Sequence, residues 1–433
     1  MAERGPRWSR RQFLAACGAT PFGGCGSVLP GNDSESAWVT VQRDPGHTGF
    51  LPDADRSARD APAEWDLETD RDGLFHRRPV FADGTLFVAS DGELYAVDAE
   101  AGSVAWTRQR KTTNADGERV PFHVGELATD GDCVFVAWSL SGANDVLAAY
   151  PVDGGETQWE FETNTNVGAV LPVADTLYLV ATLPEGQRLV ALDPATGQTR
   201  WQSRVDVATH PPLAYADGTL FSGRYRDEQE SFTGTWVLQA FDADGGERRW
   251  KRDVTGYGVG TGDRLARFFG LGGGEPNLTA ADGRVYFGTG PAELYALDAA
   301  DGTVRWSYAL EEGNTSTGHA PVVDDDTVYV ANLSTVTALD AATGTQRWQY
   351  EDARIPFDDP QRYPVLVGDT LLVPEQVTWL ALDAATGEER FRYGPYGDGL
   401  VGPAPLVVDG VLYTPVGDSV YAFAVPELFR DSE

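Results

Sequence analysis

The stretch ALDAATGTQRW, from Ala338 to Trp348, decides the fold, because close copies of it recur along most of the chain. Each copy has an apolar run ending in Ala, a spacer with Asp and Gly, and an aromatic residue ten positions after the Ala. The seven complete copies pair Ala96 with Trp106, Ala149 with Trp159, Ala191 with Trp201, Ala240 with Trp250, Ala296 with Trp306, Ala338 with Trp348, and Ala381 with Phe391. Fixed spacing repeated this often is the signature of a repeat fold.

The residues around Ala338 indicate what one repeat builds. Three short apolar runs, near Val322, Val328 and Val336, precede the segment that carries Trp348, and Asp, Gly and Thr residues separate the runs. No stretch keeps a 3.6-residue apolar period, so each repeat is predicted to form four short strands. The runs are apolar on both sides, which requires both faces of each sheet to be covered. A circle of stacked sheets, a β-propeller, meets that requirement.

The two ends of the chain are predicted to share the eighth blade. The run from Ala404 to Phe423 gives three strands and ends near Ala422, but Ser432 stands where the aromatic residue is expected. Trp65 lies in a strand-like segment with no repeat before it. We therefore predict an all-β, eight-bladed β-propeller of four-stranded antiparallel sheets, with the last blade closed by the N-terminal strand. Seven blades is the alternative if Trp65 packs elsewhere.

Three positions of the repeat have predicted structural roles. The glycine four positions before the aromatic residue, such as Gly344, is expected to need a positive φ in the turn. The aspartate that begins the turn, such as Asp340, can accept hydrogen bonds from backbone N–H groups. The alanine, such as Ala338, is expected to mark a close approach of two sheets, with the Trp of a neighbouring motif lying over it.

The composition is strongly acidic. The 433 residues include 66 Asp and Glu but only 33 Lys and Arg, which gives a formal net charge of −33. A nucleic acid partner is excluded by this balance, because binding requires clustered cations that neutralise phosphates. The acids are spread over every repeat, which favours a surface adapted to concentrated salt, where screening weakens self-repulsion.

The N-terminal residues are typical of an export signal. The segment from Ser9 to Leu14 reads SRRQFL and resembles a twin-arginine signal, which implies export in a folded state. Cys25 is the predicted site of lipid attachment, because it leaves an apolar stretch after the arginines; Cys17 and processing without a lipid are the alternatives. We divide the chain into residues 1–25, a signal with a lipobox, residues 26–37, a tether, and residues 38–433, a single propeller domain. Cys133 is expected to be a small buried residue and not a nucleophile.

The repeated motif resembles the tryptophan-docking motif of the pyrroloquinoline quinone (PQQ) repeat family. Three copies carry it best, Ala191 to Trp201, Ala338 to Trp348 and Ala381 to Phe391, and Trp38 to Phe50 resembles the segment that precedes the first blade. The resemblance implies one of two functions. The family includes quinoprotein dehydrogenases, which hold PQQ and Ca²⁺ in the central funnel, and non-catalytic propellers similar to the lipoprotein of the Bam outer-membrane assembly complex. The adjacent Cys-Cys pair usual in the dehydrogenases is absent from this sequence.

Long connections are predicted to gather on one face of the propeller. They are Thr107 to Phe122, Arg224 to Thr235, Lys251 to Glu275 and Gln349 to Arg362. If strands alternate in direction, these segments share one face, while the opposite face has only short turns such as Asp340 to Gly344. Long loops on one face of a rigid scaffold are the usual binding surface, so this face is the predicted site of a protein partner.

Polar residues recur near the start of the inner strands on that face. Three histidines lie eight positions before the glycine of a predicted turn, and other polar residues lie at or near corresponding positions. The candidates for ligand binding at the funnel rim are His76, His123, His210, Glu275, His319 and Gln361. Imidazoles at such a rim could coordinate a transition metal, of unknown identity, or bind an anion. The alternative is that these side chains satisfy backbone groups in the crossover loops.

Acidic pairs elsewhere have a more ordinary interpretation. Asp324 to Asp326, and Asp358 with Asp359, could bind Ca²⁺, but solvated turn residues are the favoured interpretation in so acidic a chain.

The sequence therefore favours an exported, membrane-anchored β-propeller that acts as a protein-binding or assembly scaffold on the outer side of the cytoplasmic membrane. No cofactor and no catalytic residue are expected in that case. The alternative is a quinoprotein dehydrogenase with PQQ and Ca²⁺ in the central funnel.

Overall fold

A computed structural model shows that every regular element in the described part of the chain is a β-strand. The described residues are 50–51, 65–68, 78–90, 92–113, 119–140, 144–205, 213–227, 234–256, 278–289, 293–309, 320–332, 334–355, 364–375, 378–393, 405–408, 411–416 and 419–424.

The strands form eight four-stranded antiparallel sheets, which confirms the predicted blades. Blade 1 has β3 (Val80–Ala82), β4 (Thr85–Ser90), β5 (Glu93–Asp98) and β6 (Val104–Gln109); blade 2 has β9 (His123–Thr129), β10 (Cys133–Ser139), β11 (Val146–Pro151) and β12 (Trp159–Glu162). Blade 3 has β13 (Thr165–Val173), β14 (Thr176–Leu183), β15 (Gly186–Leu192) and β16 (Thr199–Arg204); blade 4 has β17 (Leu213–Ala216), β18 (Thr219–Asp227), β19 (Gly234–Asp242) and β20 (Arg248–Gly256).

The second half of the chain repeats the pattern. Blade 5 has β21 (Leu278–Ala281), β22 (Arg284–Thr289), β23 (Glu293–Asp298) and β24 (Val304–Ala309); blade 6 has β25 (Val322–Val323), β26 (Thr327–Ala331), β27 (Val336–Asp340) and β28 (Gln346–Tyr350). Blade 7 has β29 (Val365–Val367), β30 (Thr370–Pro374), β31 (Trp379–Asp383) and β32 (Glu389–Tyr393); blade 8 has β33 (Leu406–Val408), β34 (Val411–Val416), β35 (Ser419–Ala424) and β2 (Trp65–Glu68). Two short additions are β1 (Phe50–Leu51) beside blade 7 and the hairpin of β7 (Lys111–Thr113) with β8 (Arg119–Pro121).

The first strand of each blade lies nearest the axis. Neighbouring first strands contact each other, as β9 does with β13 and β17 does with β21. Apolar clusters fill the seams between adjacent blades; one joins Phe221 of blade 4 to Val285 and Phe287 of blade 5. The core therefore consists of apolar layers between adjacent blades, arranged in a ring, and each sheet buries both faces against its neighbours.

The N-terminal strand closes the circle as predicted. β2 pairs antiparallel with β35, and Trp65 stands opposite Ala422. Its indole Nε1 donates a hydrogen bond of 3.0 Å to the carbonyl oxygen of Ala99 in blade 1. An apolar cluster shared by blades 7, 8 and 1 fills the closing seam. Blade 8 is thus built from both ends of the chain.

Each indole of the motif docks on the turn of the next blade. The Nε1 of Trp348 donates to the carbonyl oxygen of Ala384 at 2.9 Å, and its ring covers Gly387 so closely that a Cβ there would lie 2.5 Å from Cε3. Equivalent donors and acceptors are Trp106 with Val152, Trp159 with Pro194, Trp201 with Ala243, Trp250 with Ala299 and Trp306 with Ala341. The glycines of these turns have positive φ, +71° at Gly344, as predicted.

The prediction for the motif alanine is wrong in one respect. We expected the neighbouring Trp to lie over Ala338. Instead, Ala338 stands opposite Trp348 of its own blade in the β27–β28 pair, and the neighbouring Trp306 lies on Gly344. The small alanine makes room for an indole on the adjacent strand, and the glycine receives the indole from the next seam.

Phe391, which replaces Trp in blade 7, has no indole N–H to donate. The next blade receives its fourth strand, β2, from the N-terminal part of the chain, and not from the segment that directly follows its third strand, β35. Phe391 instead packs against the closing apolar cluster. The departure from Trp therefore coincides with the seam to the blade whose fourth strand comes from a distant part of the sequence.

The aspartate at the start of the turn makes more contacts than predicted. The Oδ1 atom of Asp340 accepts backbone hydrogen bonds from Ala342 and Thr343 at 3.1 and 2.9 Å, and Oδ2 accepts one from Nη2 of Arg347 at 2.9 Å. The hydrogen bond from Arg347, with those from Thr343, lowers the pKa of Asp340 to about 2. The arginine seven positions after the aspartate recurs as Arg200, Arg249, Arg305 and Arg390, each on the aspartate of its own turn.

The packing of Trp306 on Gly344 gives a test with a matched control. In Gly344→Ala, the new Cβ would lie 2.6 Å from Cδ2 of Trp306 at a φ of +71°. Gly283→Ala has a similar φ of +69° but no atom within 4 Å. We expect Gly283→Ala to lower the free energy of unfolding by about 1 kcal/mol from backbone strain. Gly344→Ala should lower the free energy of unfolding by a further ~1–3 kcal/mol, because the new Cβ overpacks the contact with Trp306.

Urea unfolding of both variants measures the difference. Equal losses would show that the indole does not constrain the glycine.

The low pKa of Asp340 predicts a pH dependence of stability. The folded state holds the carboxylate below its ordinary pKa, so the stabilisation is complete above that ordinary value and is lost as the pH falls towards about 2. We expect the urea midpoint of the wild-type protein to approach that of Asp340→Asn as the pH falls from 5 to about 2. Asp325→Asn, an exposed neighbour, is the control. A constant difference between wild type and Asp340→Asn over this range would contradict the role of the ion pair.

Candidate functional site

The alternation of strand directions gives the propeller two unlike faces. The hairpin between the third and fourth strands of each blade carries the Asp-Gly turn, as at Asp340 to Gly344, and we call this side the turn face. The hairpin between the second and third strands, and the connection to the next blade, lie on the opposite side, which we call the long-loop face. The β7–β8 hairpin, between β6 and β9, therefore belongs to the long-loop face.

One of the six predicted rim residues lies in the described part of the chain. His123 is the first residue of β9, stands opposite Ser139 of β10, and is exposed. It therefore lies at the end of an inner strand on the long-loop face, where it was predicted. His76, His210, Glu275, His319 and Gln361 lie outside the described residues, so their convergence at one rim stays a prediction.

The connection from blade 1 to blade 2 is a folded hairpin. The backbone N–H of Phe122 donates to the carbonyl oxygen of Arg110 at 2.9 Å, and the Phe122 side chain is buried. A Cβ on Gly92, in the middle hairpin of blade 1, would lie 2.1 Å from the carbonyl oxygen of Phe122. The hairpin is thus seated against blade 1, and the glycine makes its close approach feasible.

Blade 4 differs from the sequence prediction. Arg224 to Thr235 was expected to be a loop, but β18 continues to Asp227 and β19 begins at Gly234, with these two residues opposite each other. β20 likewise continues to Gly256, which pairs with Gly234. The apolar pattern used to find strands ends sooner, because this part of the hairpin is polar. Blade 4 therefore carries a tall β-hairpin on the long-loop face.

A buried ion pair anchors the connection that follows blade 6. Glu375 is 1% exposed and accepts hydrogen bonds from Nη1 of Arg392 at 3.0 and 3.1 Å. The same carboxylate accepts one from the backbone N–H of Arg354 at 3.0 Å, and Nη2 of Arg392 donates to the carbonyl oxygen of Asp352 at 2.8 Å. The start of the connection is thus fixed to blade 7.

Tyr350 and Glu389 extend this network across the seam. The Tyr350 hydroxyl donates to Oε2 of Glu389 at 2.5 Å, and Arg392 donates to both side chains. The hydrogen bond from Tyr350, with Arg392 beside it, lowers the pKa of Glu389. Every partner belongs to blade 6, blade 7 or their connection, so the network stabilises the long-loop face.

The axial side of blade 7 carries an additional strand. β1 pairs in parallel with β29, and Phe50 and Leu51 stand opposite Leu366 and Val367. Because β29 is the innermost strand of its blade, β1 lies towards the central channel. A segment from the N-terminal part of the chain therefore adds a fifth strand on the axial side of blade 7.

The described residues do not assemble a metal site. Among them, no three His, Cys, Asp or Glu side chains lie close enough together to hold an ion. Asp324 is occupied by the backbone N–H groups of Asp326 and Thr327 and by the hydroxyl of Tyr329. It behaves as a turn residue. Asp358 and Asp359 lie outside the described residues.

Cys133 is buried, as predicted. It is 5% exposed, and burial, together with the charges of Asp130 and Asp132, raises the pKa of its thiol to about 12. The thiol is therefore protonated at neutral pH and is a poor nucleophile. Its Sγ donates to Oε1 of Gln158 at 3.3 Å.

The leader with Cys17 and Cys25 lies outside the described residues. Within the described ranges, no helix has the length and hydropathy needed to cross a membrane.

Similar proteins include assembly factors and enzymes. Outer membrane protein assembly factor BamB of Bordetella pertussis is 29% identical over 154 residues, which are 35% of this chain and 33% of that protein. The chain thus matches about a third of the length of this curated relative.

Solved structures with the same fold are more diverse. BamB from Moraxella catarrhalis is 19% identical with a TM-score of 0.56, covering 83% of this chain and 98% of that one. A europium-containing methanol dehydrogenase is 13% identical with a TM-score of 0.61, covering 91% and 99%. The computationally designed Ika8 protein is 12% identical with a TM-score of 0.59, covering 83% and 98%. At these identities the likeness shows the fold alone.

A family match is more specific than these likenesses, because it depends on the sequence of the repeats. The family model described as outer membrane protein assembly factor BamB matches residues 57–211, 142–253, 233–390 and 334–425. These ranges run from before Trp65 to beyond Ala422 and so include all eight blades. The chain therefore belongs to this family of PQQ-like β-propellers.

Proposed function

We propose that the protein is an exported, lipid-anchored scaffold that binds a protein partner with its long-loop face. The observation that carries this proposal is the asymmetry of the two faces. The turn face presents short Asp-Gly turns, whereas the long-loop face carries the β7–β8 hairpin, the tall hairpin of blade 4 and the connection anchored by Glu375. Extended segments held on a rigid scaffold are suited to recognising another macromolecule.

The family supports an assembly role outside the cytoplasm. The similar protein of Bordetella pertussis is named outer membrane protein assembly factor BamB, and the similar structure from Moraxella catarrhalis is also named BamB. These names favour a propeller that works by binding other proteins.

The leader supports the location. The twin arginines, Arg10 and Arg11, are suited to export of a folded domain, and Cys25 would carry the lipid that holds the propeller at the outer side of the cytoplasmic membrane. The charge of −33 fits a surface that stays solvated in concentrated salt.

Site-specific photo-crosslinking tests the binding face. Photoreactive residues at Glu185 and Arg354 probe the long-loop face, and the same residue at Ala342 and Ala385 probes the turn face; all four positions are exposed. We expect crosslinks to one protein from the first pair in intact cells, and no such product from the second pair. The measurement is mass spectrometry of the purified adducts.

Two outcomes would contradict the proposal. A partner captured only from Ala342 or Ala385 would show that the binding face is wrong. The absence of any defined product at all four positions would remove the support for a scaffold.

The leader gives a separate prediction. Arg10→Lys combined with Arg11→Lys should keep the chain in the cytoplasm. Cys25→Ser should leave export intact but release the protein from the membrane fraction, and Cys17→Ser is the matched control. Cell fractionation with immunoblotting measures both effects. If Cys17→Ser released the protein from the membrane fraction and Cys25→Ser did not, Cys17 would be the lipidated residue.

The quinoprotein alternative is favoured by the structural likeness to a methanol dehydrogenase. PQQ would supply redox chemistry in the central channel, with Ca²⁺ held beside it. In the described part of the chain, β1 lies on the axial side of blade 7, beside the channel in which these groups would be held. Reproducible dye-linked oxidation of an alcohol or sugar by the protein reconstituted with PQQ and Ca²⁺ would replace the scaffold proposal.

A further inference from the structure

A cationic cavity lies on the long-loop face of this acidic protein. Its volume is about 550 Å³, which is within the range of about 300–1,000 Å³ usual for ligand pockets. The residues that line it are Gln109, Arg110, Lys111, Thr112, Arg119 and Phe122. Lys111 is one of two lysines in a chain whose net charge is −33. Three cations around one cavity therefore contrast with the negative net charge of the chain.

The cavity is formed by the folded β7–β8 hairpin. Lys111 pairs with Pro121, and Thr113 pairs with Arg119. Phe122 anchors the base of the hairpin, and the guanidinium of Arg110 lies over its ring at 5.4 Å from the centroid. The hairpin therefore has a fixed register, which determines how its cations are spaced.

The charges of the cavity are only partly balanced. Arg110 forms a two-pronged ion pair with Glu160, with distances of 2.5 and 3.2 Å. Lys111 and Arg119 are exposed, and within the described ranges neither lies at ion-pair distance from a carboxylate. Two positive charges thus remain available to a ligand.

The spacing of these two cations indicates the shape of the ligand. Residues paired across two antiparallel strands point to the same side, so Lys111 and Arg119 share one face of the hairpin. They are diagonal neighbours, about 7–8 Å apart. An extended peptide repeats its side chains on one side every second residue, a distance of about 6.6–6.8 Å. Acidic residues at alternate positions of an extended segment therefore match the two cations.

We propose that this cavity binds an extended acidic segment of a protein partner, with carboxylates at alternate positions on Lys111 and Arg119. Gln109 supplies a further hydrogen-bonding group, and Phe122 supplies an apolar wall. The inference rests on the proposed scaffold function and specifies the chemistry of its partner. The acidic protein repels an acidic segment at long range, but at 0.15 M ionic strength salt screens this repulsion beyond about 8 Å. At short range, the segment would be attracted by Lys111 and Arg119.

Fluorescence anisotropy with the full-length protein tests the site. The probe is a labelled octapeptide of alternating Glu and Thr, and the comparison peptide has the same composition in the order Glu-Glu-Thr-Thr, repeated. We expect the alternating peptide to bind more tightly. Lys111→Gln combined with Arg119→Gln should weaken its binding at least tenfold. Arg204→Gln combined with Arg248→Gln, which removes two exposed cations elsewhere, should leave binding unchanged.

Three results would overturn the inference: no binding of the alternating peptide, equal weakening by both double variants, or equal affinity for both peptides. Displacement of the peptide by stoichiometric inorganic phosphate would show a small-anion site and would also overturn it. The unfolding temperatures of both variants check that the fold is intact.

The crosslinking experiment separates this inference from the proposed function. The double variant Lys111→Gln, Arg119→Gln is combined with the photoreactive residue at position 185 or 354. If this protein captures the partner with unchanged yield, the proposal of an acidic segment in the cavity is refuted, while the proposal of a scaffold is supported. If neither the wild-type chain nor the variant captures a partner, the scaffold itself fails.

Discussion

The docking of one indole on the turn of the next blade is the interaction on which this architecture depends. The contact has two parts that require different residues. The ring needs a glycine beneath it, because a Cβ at Gly387 would lie 2.5 Å from Trp348, and the indole N–H needs the carbonyl oxygen of Ala384 at 2.9 Å. A buried N–H without an acceptor is costly, so the hydrogen bond fixes the position of the ring along the seam. Repetition of this contact sets the relation of each blade to the next.

Much of this design could be predicted from the sequence, because its parts recur at fixed spacing. The four-stranded blades, the positive φ of Gly344 and the closure through Trp65 all follow from the repeated motif. The direction of docking could not be predicted in the same way. Spacing within one repeat does not show which neighbour receives the indole, and Ala338 was therefore assigned the role that Gly344 performs.

The candidate site was less predictable, because it lies where the repeat is interrupted. The ion pair of Glu375 with Arg392 joins the residue after β30 to a residue of β32 and has no fixed offset in the sequence. The tall hairpin of blade 4 is polar, so it lacks the apolar alternation that marks a strand. The cationic cavity depends on a hairpin register that only the fold reveals. Of the predicted rim residues, His123 can be placed, and its position at the end of β9 agrees with the expected location.

The closure of blade 8 has a consequence for how the protein folds. Trp65 and Ala422 are separated in the sequence by the other seven blades, so this strand pair forms only after all of those blades have been synthesised. Until then, the apolar surface around Phe81 and Leu86 of blade 1 has no blade 8 to cover it. Contacts between distant parts of a chain form slowly, and uncovered apolar surface promotes aggregation. Synthesis therefore leaves an interval in which seven blades can be complete while the circle is still open at this seam.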